Sequence, residues 1–311
     1  MDRLLAMQIF VRVVETGGFS AVARERNSTQ SAVSKQVAAL EQYLGAKLLT
    51  RTTRSLSLTD DGHRYFEDAR RLVGEVLEAE GLLRHGEQQL VGWLRVAAAV
   101  GFGLRVLLPH VQSFMARHPQ VKVDLVLNDN VIDLVEHGVD MAVRIGNLAD
   151  SGLLARRIGD SRAVVVASRG YIAALRAEQH LPQIPADLLG HPCIVYTELS
   201  TKNRWGFTGP DGTSVSVGVD GPLQSNSSEV VRAAMLNDMG IAYAPRWLVQ
   251  DALQSGAAHI LLPDWSANAL PIQIVMPAHR RQAAKVRAFS DHLAQVLADH
   301  ASAASIVPTR P

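Results

Sequence analysis

The sequence predicts a multidomain α/β chain: an N-terminal winged helix-turn-helix, a long linker helix and a two-lobed α/β C-terminal part. Three observations predict it. Two short helical patterns separated by a tight turn open the chain. A seven-residue apolar repeat follows from about residue 60. From Trp93 onward, strand and helix patterns alternate with short loops.

The length of 311 residues suits two domains, or three, at roughly 100–200 residues each. A hydrophobic share of 47% with 20% charged residues excludes a disordered or collagen-like chain. The net charge of +1, from 31 basic and 30 acidic residues, taken whole argues against nucleic acid. Split along the chain, it reads differently. Residues 1–58 hold eight basic and four acidic residues, a net +4. Residues 59–92 hold four basic and eight acidic, a net −4. Opposite charge on adjacent segments points to separate roles.

Leu4, Met7, Val11 and Val14 share one face of a first helix, which Gly17 and Gly18 end. Ser20 is placed to cap a second helix, and Asn27–Ser28 forms the turn after it. Thr29 is placed to cap a third helix over 30–44, with Val33, Val37, Leu40 and Leu44 on one face and Gly45 as its stop. Near its start the other face carries Gln30, Ser31, Ser34 and Lys35 without a carboxylate. Such a face can approach phosphates and base edges without repulsion. Leu56 and Leu58 then alternate with polar residues as a strand, and Arg51 and Arg54 precede it, as in a wing.

The stretch FSAVARERNSTQSAVSKQVAALEQYLGAKLLTRTTRSLSLTDDG closely resembles the N-terminal domain of LysR-type transcriptional regulators. The resemblance runs without gaps from about residue 3 into the linker helix. It implies a DNA-reading helix at 29–44, with Thr29, Gln30, Ser31, Ser34 and Lys35 facing DNA and Arg51 and Arg54 in the wing. Arg26 and Ser28 stand where the family usually has apolar residues.

Thr59 is placed to cap the long helix, with Asp60 and Asp61 at its positive end. Tyr65, Ala69, Leu72, Val76, Ala79 and Leu83 recur as a heptad seam. By the family resemblance this helix pairs two DNA-binding domains, with Tyr65, Ala69, Leu72, Val76 and Leu83 as dimerisation residues. Pairing doubles the contact and reads an inverted repeat. Residues 86–92 read as a hinge.

Beyond it, WLRVAAAV, VKVDLVLND, MAVRI, RAVVVAS, CIVY, IAYAP, AHILLP and PIQIVMPA are strand patterns. VIDLVEHG reads as a short helix, RWGFTGPDGTSVSVGVD as a hairpin, and 282–300 as a final helix before a disordered tail. Asn226 with Glu229 three residues on has capping-box spacing. WLRVAAAV, DLVEHGVDMAVRIG and EVVRAAMLNDMGIAYAP match the family's effector domain, which is similar to periplasmic solute-binding proteins. The expected organisation is a DNA-binding domain at 1–59, a linker helix at 60–85 and a hinge at 86–92. An effector-binding domain follows at 93–301, with lobe I at 93–165 and 268–300 and lobe II at 166–267, then a tail at 302–311.

In such a domain a ligand lies between the lobes, at the carboxyl ends of the strands. The candidates are Ala99, Val100 and Phe102 after the first strand, Asn128 and Asp129 after the second, Arg144 and Gly146 at the end of MAVRIG, and Asn226 and Ser227 opening a helix. Arg144 suits a carboxylate. The expected partners are double-stranded promoter DNA, a small-molecule effector and further copies of the chain, as a dimer of dimers by resemblance. RNA polymerase is a further candidate.

Neither an enzyme nor an exported solute-binding protein fits the pattern as well. Cys193 beside His191 lies in a strand pattern, which makes the thiol inert. GFG at 101–103 is not a full dinucleotide fingerprint. The eleven histidines show no H-x-x-x-H or H-E-x-x-H spacing, so no metal and no cofactor is expected. A single cysteine, no signal-peptide pattern and no apolar run of about 18 residues point to the cytoplasm and no membrane.

Overall fold

The computed structural model describes residues 1–51, 56–85, 90–148, 151–199, 201–281 and 283–304. The chain divides into two compact units, Met1–Trp93 with Gln120–Lys122, and Leu94–Pro119 with Val123–Pro311. No single helix among the described residues is long and apolar enough to cross a membrane.

In the first unit, α1 (Arg3–Thr16) starts at Asp2, whose side chain accepts from the Leu5 N–H, and stops at Gly17 in the left-handed conformation. Its buried face is Ala6, Ile9, Phe10 and Val13, with Val11 beside it. The expected stripe of Leu4, Met7, Val11 and Val14 is therefore rotated. The physical reason is that α1 packs against α2 (Phe19–Glu25), α3 (Gln30–Leu44) and α4 (Asp60–His85), so more than one side is covered. Gly18, not Ser20, precedes α2, and Ser20 lies inside its first turn.

The turn before α3 places Asn27 at φ 49°, and the Ser28 N–H closes on the Ala23 carbonyl at 2.8 Å. Thr29 caps α3 by accepting from Ala32 N–H, and Gly45 at φ 68° ends it. Val33, Val37 and Leu40 enter the core. β1 (Leu49–Arg51) pairs antiparallel with β2 (Leu56–Leu58), Leu49 opposite Leu58. Thr59 then holds the start of α4: its hydroxyl accepts from Gly62 N–H at 2.9 Å and donates to the Lys47 carbonyl at 2.5 Å. Gly62 is needed there, because a Cβ would lie 2.0 Å from the Leu48 carbonyl oxygen.

The second unit contains two five-stranded mixed sheets. The first has the order β4-β3-β5-β15-β6, from β3 (Gly92–Ala98), β4 (Val121–Leu127), β5 (Met141–Ile145), β6 (Leu153–Ser161) and β15 (Leu270–Pro277). The second has the order β11-β8-β12-β7-β13, from β7 (Ala163–Ser168), β8 (Cys193–Tyr196), β11 (Leu223–Ser225), β12 (Ile241–Pro245) and β13 (Ala258–Leu261). β9 (Arg204–Thr208), β10 (Ser214–Gly218) and β14 (Ser266–Ala267) form a small third sheet. β7 pairs wholly within the second sheet, which therefore starts at Ala163, close to the expected start of lobe II.

Helices α5 (Val100–Phe102) and α6 (Leu108–Arg117) flank five residues of π-helix, Gly103–Leu107. Pro109 explains the widening: it has no N–H to offer the Arg105 carbonyl, and the Leu108 N–H bonds five residues back to Gly103 instead. Lobe II carries α7 (Arg169–Ala177), α8 (Ser228–Leu236) and α9 (Arg246–Gln254), and α10 (Ala284–Ala304) returns to lobe I. β6, β11, α9 and β14 are elements the sequence patterns missed. The expected helix in VIDLVEHG is instead a string of turns: the Asp133 carboxylate binds the N–H groups of Val135 and Glu136, and Gly138 at φ 61° closes the turn. The final helix extends to Ala304, past the expected start of the tail, and residues 305–311 lie outside the described ones.

Candidate DNA-reading face and inter-lobe cleft

The exposed surface of α3 near its start is formed by Thr29, Gln30, Ser31 and Lys35, with Ser34 half-buried between them. Arg26 and Ser28 are also exposed, so the turn carries no apolar plug, and Arg26 donates to the Gln8 side chain at 3.2 Å. Arg51 is the last residue of β1 and pairs with Leu56, but its side chain lies outside the described structure. Arg54 lies wholly outside the described residues.

The acid that follows on α3, Glu41, is turned inward and is only 8% exposed. One carboxylate oxygen accepts from the N–H groups of Leu48 (3.0 Å) and Leu49 (3.1 Å), and the other from Lys47 Nζ (2.7 Å). Burial opposes its ionisation. The Lys47 bond and the two backbone bonds outweigh that and hold the carboxyl below its usual range. Glu41 thus fixes the entry of β1 and keeps its charge off the exposed face near the start of α3. Sequence spacing gave no sign of this role, because its partners are backbone groups beyond the end of the helix.

On α4 the expected seam splits. Ala69 is fully buried in the core of its own unit, and Tyr65 packs there with its ring 5.7 Å from Phe10. Ala69 is therefore corrected to intradomain packing, while Tyr65 stays half-buried against the same core: the three-helix core claims one side of the first three turns of α4. Leu72 (41% exposed) and Leu77 (43%) project outward, and Val76 is half-buried. The Leu83 side chain lies outside the described structure.

In the second unit, Ala99 and Val100 lie where β3 passes into α5 and are half-buried. The Val100 N–H is already taken by the Asp129 carboxylate at 3.0 Å. Phe102 is 2% exposed and meets Trp247 of lobe II edge-on, ring centres 5.3 Å apart. It seals the contact between lobes rather than lining an open site. The Asn128 side chain is occupied locally, accepting from Asn130 N–H at 2.9 Å. Gly146 sits at φ 115°, its N–H on the Pro271 carbonyl and its own carbonyl accepting from the Gln273 side chain.

Arg144 is half-buried, and one nitrogen donates to the Ile132 carbonyl at 2.9 Å. Burial pulls its pKa below the ordinary arginine value, and the charge of Asp133 works the other way. Asn226 is exposed and does not cap α8. Ser227 stands at the cap position without a side-chain bond, and its N–H goes to the Ser225 hydroxyl at 3.0 Å. The expected capping box fails because the cap falls on Ser227, which puts Glu229 one position too early, and Glu229 instead pairs with Arg105 of lobe I, with contacts at 2.7 and 3.0 Å. Sequence reasoning named Asp129 as a cleft candidate but missed Arg105 and Tyr196. The Tyr196 hydroxyl is pushed well above the usual tyrosine range by burial, then by the charges of Asp129 and Glu198. Cys193 is buried, its thiol pushed up to about 12 by desolvation.

Comparison with known proteins agrees with this division. Residues 4–63 match the family described as bacterial regulatory helix-turn-helix protein, lysR family, and residues 87–298 match LysR substrate binding domain. The regulator CrgA of Neisseria meningitidis serogroup C is 35% identical over 295 residues, which covers 94% of this chain and 97% of CrgA. The uncharacterised regulator YhjC of Escherichia coli is 33% identical over 301 residues, covering 96% and 99%. The solved structure of CrgA matches with a TM-score of 0.60 at 35% identity over 94% of this chain and 98% of that one. The full-length structure of AphB, a virulence activator of Vibrio cholerae, matches with a TM-score of 0.55 at 26% identity over 93% and 98%.

Proposed function

The chain belongs to the LysR family of transcriptional regulators, and from that premise we propose that α3 reads promoter DNA, that copies of the chain pair through α4, and that a small molecule held between the lobes sets the outcome. The observation that carries the DNA reading is the face of α3. Thr29, Gln30, Ser31 and Lys35 are exposed, and the helix's acid is folded away beneath them. Short polar groups there reach base edges, and Lys35 reaches a phosphate.

Leu72 and Leu77 give α4 an outward apolar surface, which supports pairing of two DNA-binding units on an inverted repeat. A dimer of dimers and contact with RNA polymerase belong to the same reading, which places the protein in the cytoplasm with its promoter. Arg144 supports an anionic effector. It is a partly desolvated cation whose bonds among the described residues include no carboxylate. An effector acts only by preferring one arrangement of the lobes.

The test is the salt dependence of binding to DNA upstream of the protein's own gene. Lys35→Ala lowers the slope of log affinity against log salt by about 0.9, one phosphate contact. An unchanged slope removes Lys35 from the phosphate contacts.

A further inference from the structure

Lobe I and lobe II meet at a seam that no sequence pattern anticipated. Arg105, in the π-helical segment of lobe I, places a two-pronged guanidinium on Glu229 of lobe II, Nε to Oε1 at 2.7 Å and Nη2 to Oε2 at 3.0 Å. Its remaining nitrogen reaches Asp251 Oδ2 at 3.3 Å. The same oxygen of Asp251 accepts from Arg232 at 2.6 Å, and Arg232 also donates to the Leu248 carbonyl at 3.1 Å. Four charges thus alternate in sign across the seam, and the planar fork of Arg105 is matched to a carboxylate in a way a lysine is not.

Beside this network the backbone of lobe I comes very close to side chains of lobe II. A Cβ at Gly101 of lobe I would lie 2.6 Å from the Ser228 hydroxyl, 3.1 Å from Leu248 Cδ1 and 3.3 Å from Glu229 Oε1, all in lobe II. Phe102 meets Trp247 one residue further on. The closure also carries a cost. Ser228 is 8% exposed, and its buried hydroxyl has no hydrogen-bond partner among the described residues. A buried hydroxyl without a partner opposes the arrangement that buries it. The Arg105–Glu229 ion pair, one-quarter exposed on both sides, holds it shut.

We propose that Arg105, Glu229 and Asp251 form a charge latch between the lobes. The latch sets the population of the closed seam against an open one in which the Ser228 hydroxyl regains water. Arg105 is a positioning residue: it acts through lobe geometry and touches no ligand. The latch stands whatever occupies the cleft. A ligand that needs the seam closed gains affinity in proportion to the closed fraction.

The experiment uses the full chain carrying Ser228→Cys, a near-isosteric change, and follows the modification of the introduced thiol by a neutral maleimide. Cys193, fully buried with its pKa up at about 12, serves in the same molecule as the clock for global unfolding. The latch predicts slow labelling at low salt. Labelling accelerates about tenfold with Arg105→Gln or Glu229→Gln, and the double change adds little to either single one. Raising salt from about 0.1 to 1 M, which shortens the Debye length from about 10 to 3 Å, accelerates the parent but not the variants. If Arg105→Gln does not fold, Glu229→Gln and the salt series carry the same test. The proposal is overturned by immediate labelling of the parent. It is equally overturned by rates that ignore both substitutions and salt, or by acceleration that Cys193 shares.

Discussion

Glu41 and Leu49 are joined by a hydrogen bond of 3.1 Å from the strand's backbone N–H to the helix's carboxylate. Together with the bond from Leu48 N–H, it makes one buried side chain of α3 the anchor of β1. Glu41→Ala leaves two buried N–H groups without their acceptor, a loss of about 2–6 kcal/mol at roughly 1–3 per group. Calorimetry shows the first unit melting earlier, and DNA affinity falls with it, while the second unit's transition stays in place.

The same bonds fix a pH dependence. The folded pKa of Glu41 is below its unfolded value near 4.5, so the stabilisation is complete above that pH. It is lost as pH falls through the folded value. Acid titration of the first unit's stability therefore loses part of its slope in Glu41→Gln. An unaltered slope shows that Glu41 does not carry it.

His292 works in lobe I. Its residue is 7% exposed, the imidazole set between Ser113, Arg117 and the His110 carbonyl, with no carboxylate among these bonded partners. Burial lowers its pKa first, and the charges of Arg117 and His118 lower it further against the opposing His110 carbonyl bond. The neutral ring is the native form, so stability is full above about pH 6.5 and declines as pH drops from there through the folded pKa. His292→Gln flattens thermal stability between about pH 7 and 5. Equal slopes in both proteins contradict this.

How far the sequence disclosed the molecule depended on whether the deciding partner was near in the chain. Thr29, Gly45 and Thr59 were legible because caps are local. So were the core positions Val33, Val37 and Leu40, because one helix face repeats every three or four residues. Glu229 was misread as half of a capping box because that spacing is also local, whereas its partner Arg105 lies 124 residues away. Ala69 fits a heptad and is buried all the same, with Tyr65 half-buried beside it, because the face they share is taken by α1. Asn226 has the residue type of a cap but not its place, which falls on Ser227.

Leu72→Glu tests the paired state. The side chain is exposed on α4 and has no role in the core of its own unit, so the fold is kept. Sedimentation shows weaker self-association, by about tenfold or more for a charge placed on an apolar seam. Undiminished association moves the interface elsewhere.

Arg144→Ala tests the anionic effector. In a thermal-shift series with small carboxylates, amino acids and aromatic acids, a compound that stabilises the parent gives a shift reduced by most of its size in the variant. The removed interaction is a charged hydrogen bond of about 1.5–3 kcal/mol. A full shift in the variant excludes Arg144 from the site.

The most direct measurement is a footprint on DNA upstream of the protein's own gene, with the parent and Lys35→Glu side by side. Lys35 is exposed, so the substitution leaves folding intact and places a carboxylate on the face of α3. The account predicts a protected inverted repeat for the parent, and for the variant a loss of at least about tenfold in affinity at moderate salt. A footprint of the same extent and affinity from both proteins would contradict the assignment of α3 as the reading helix.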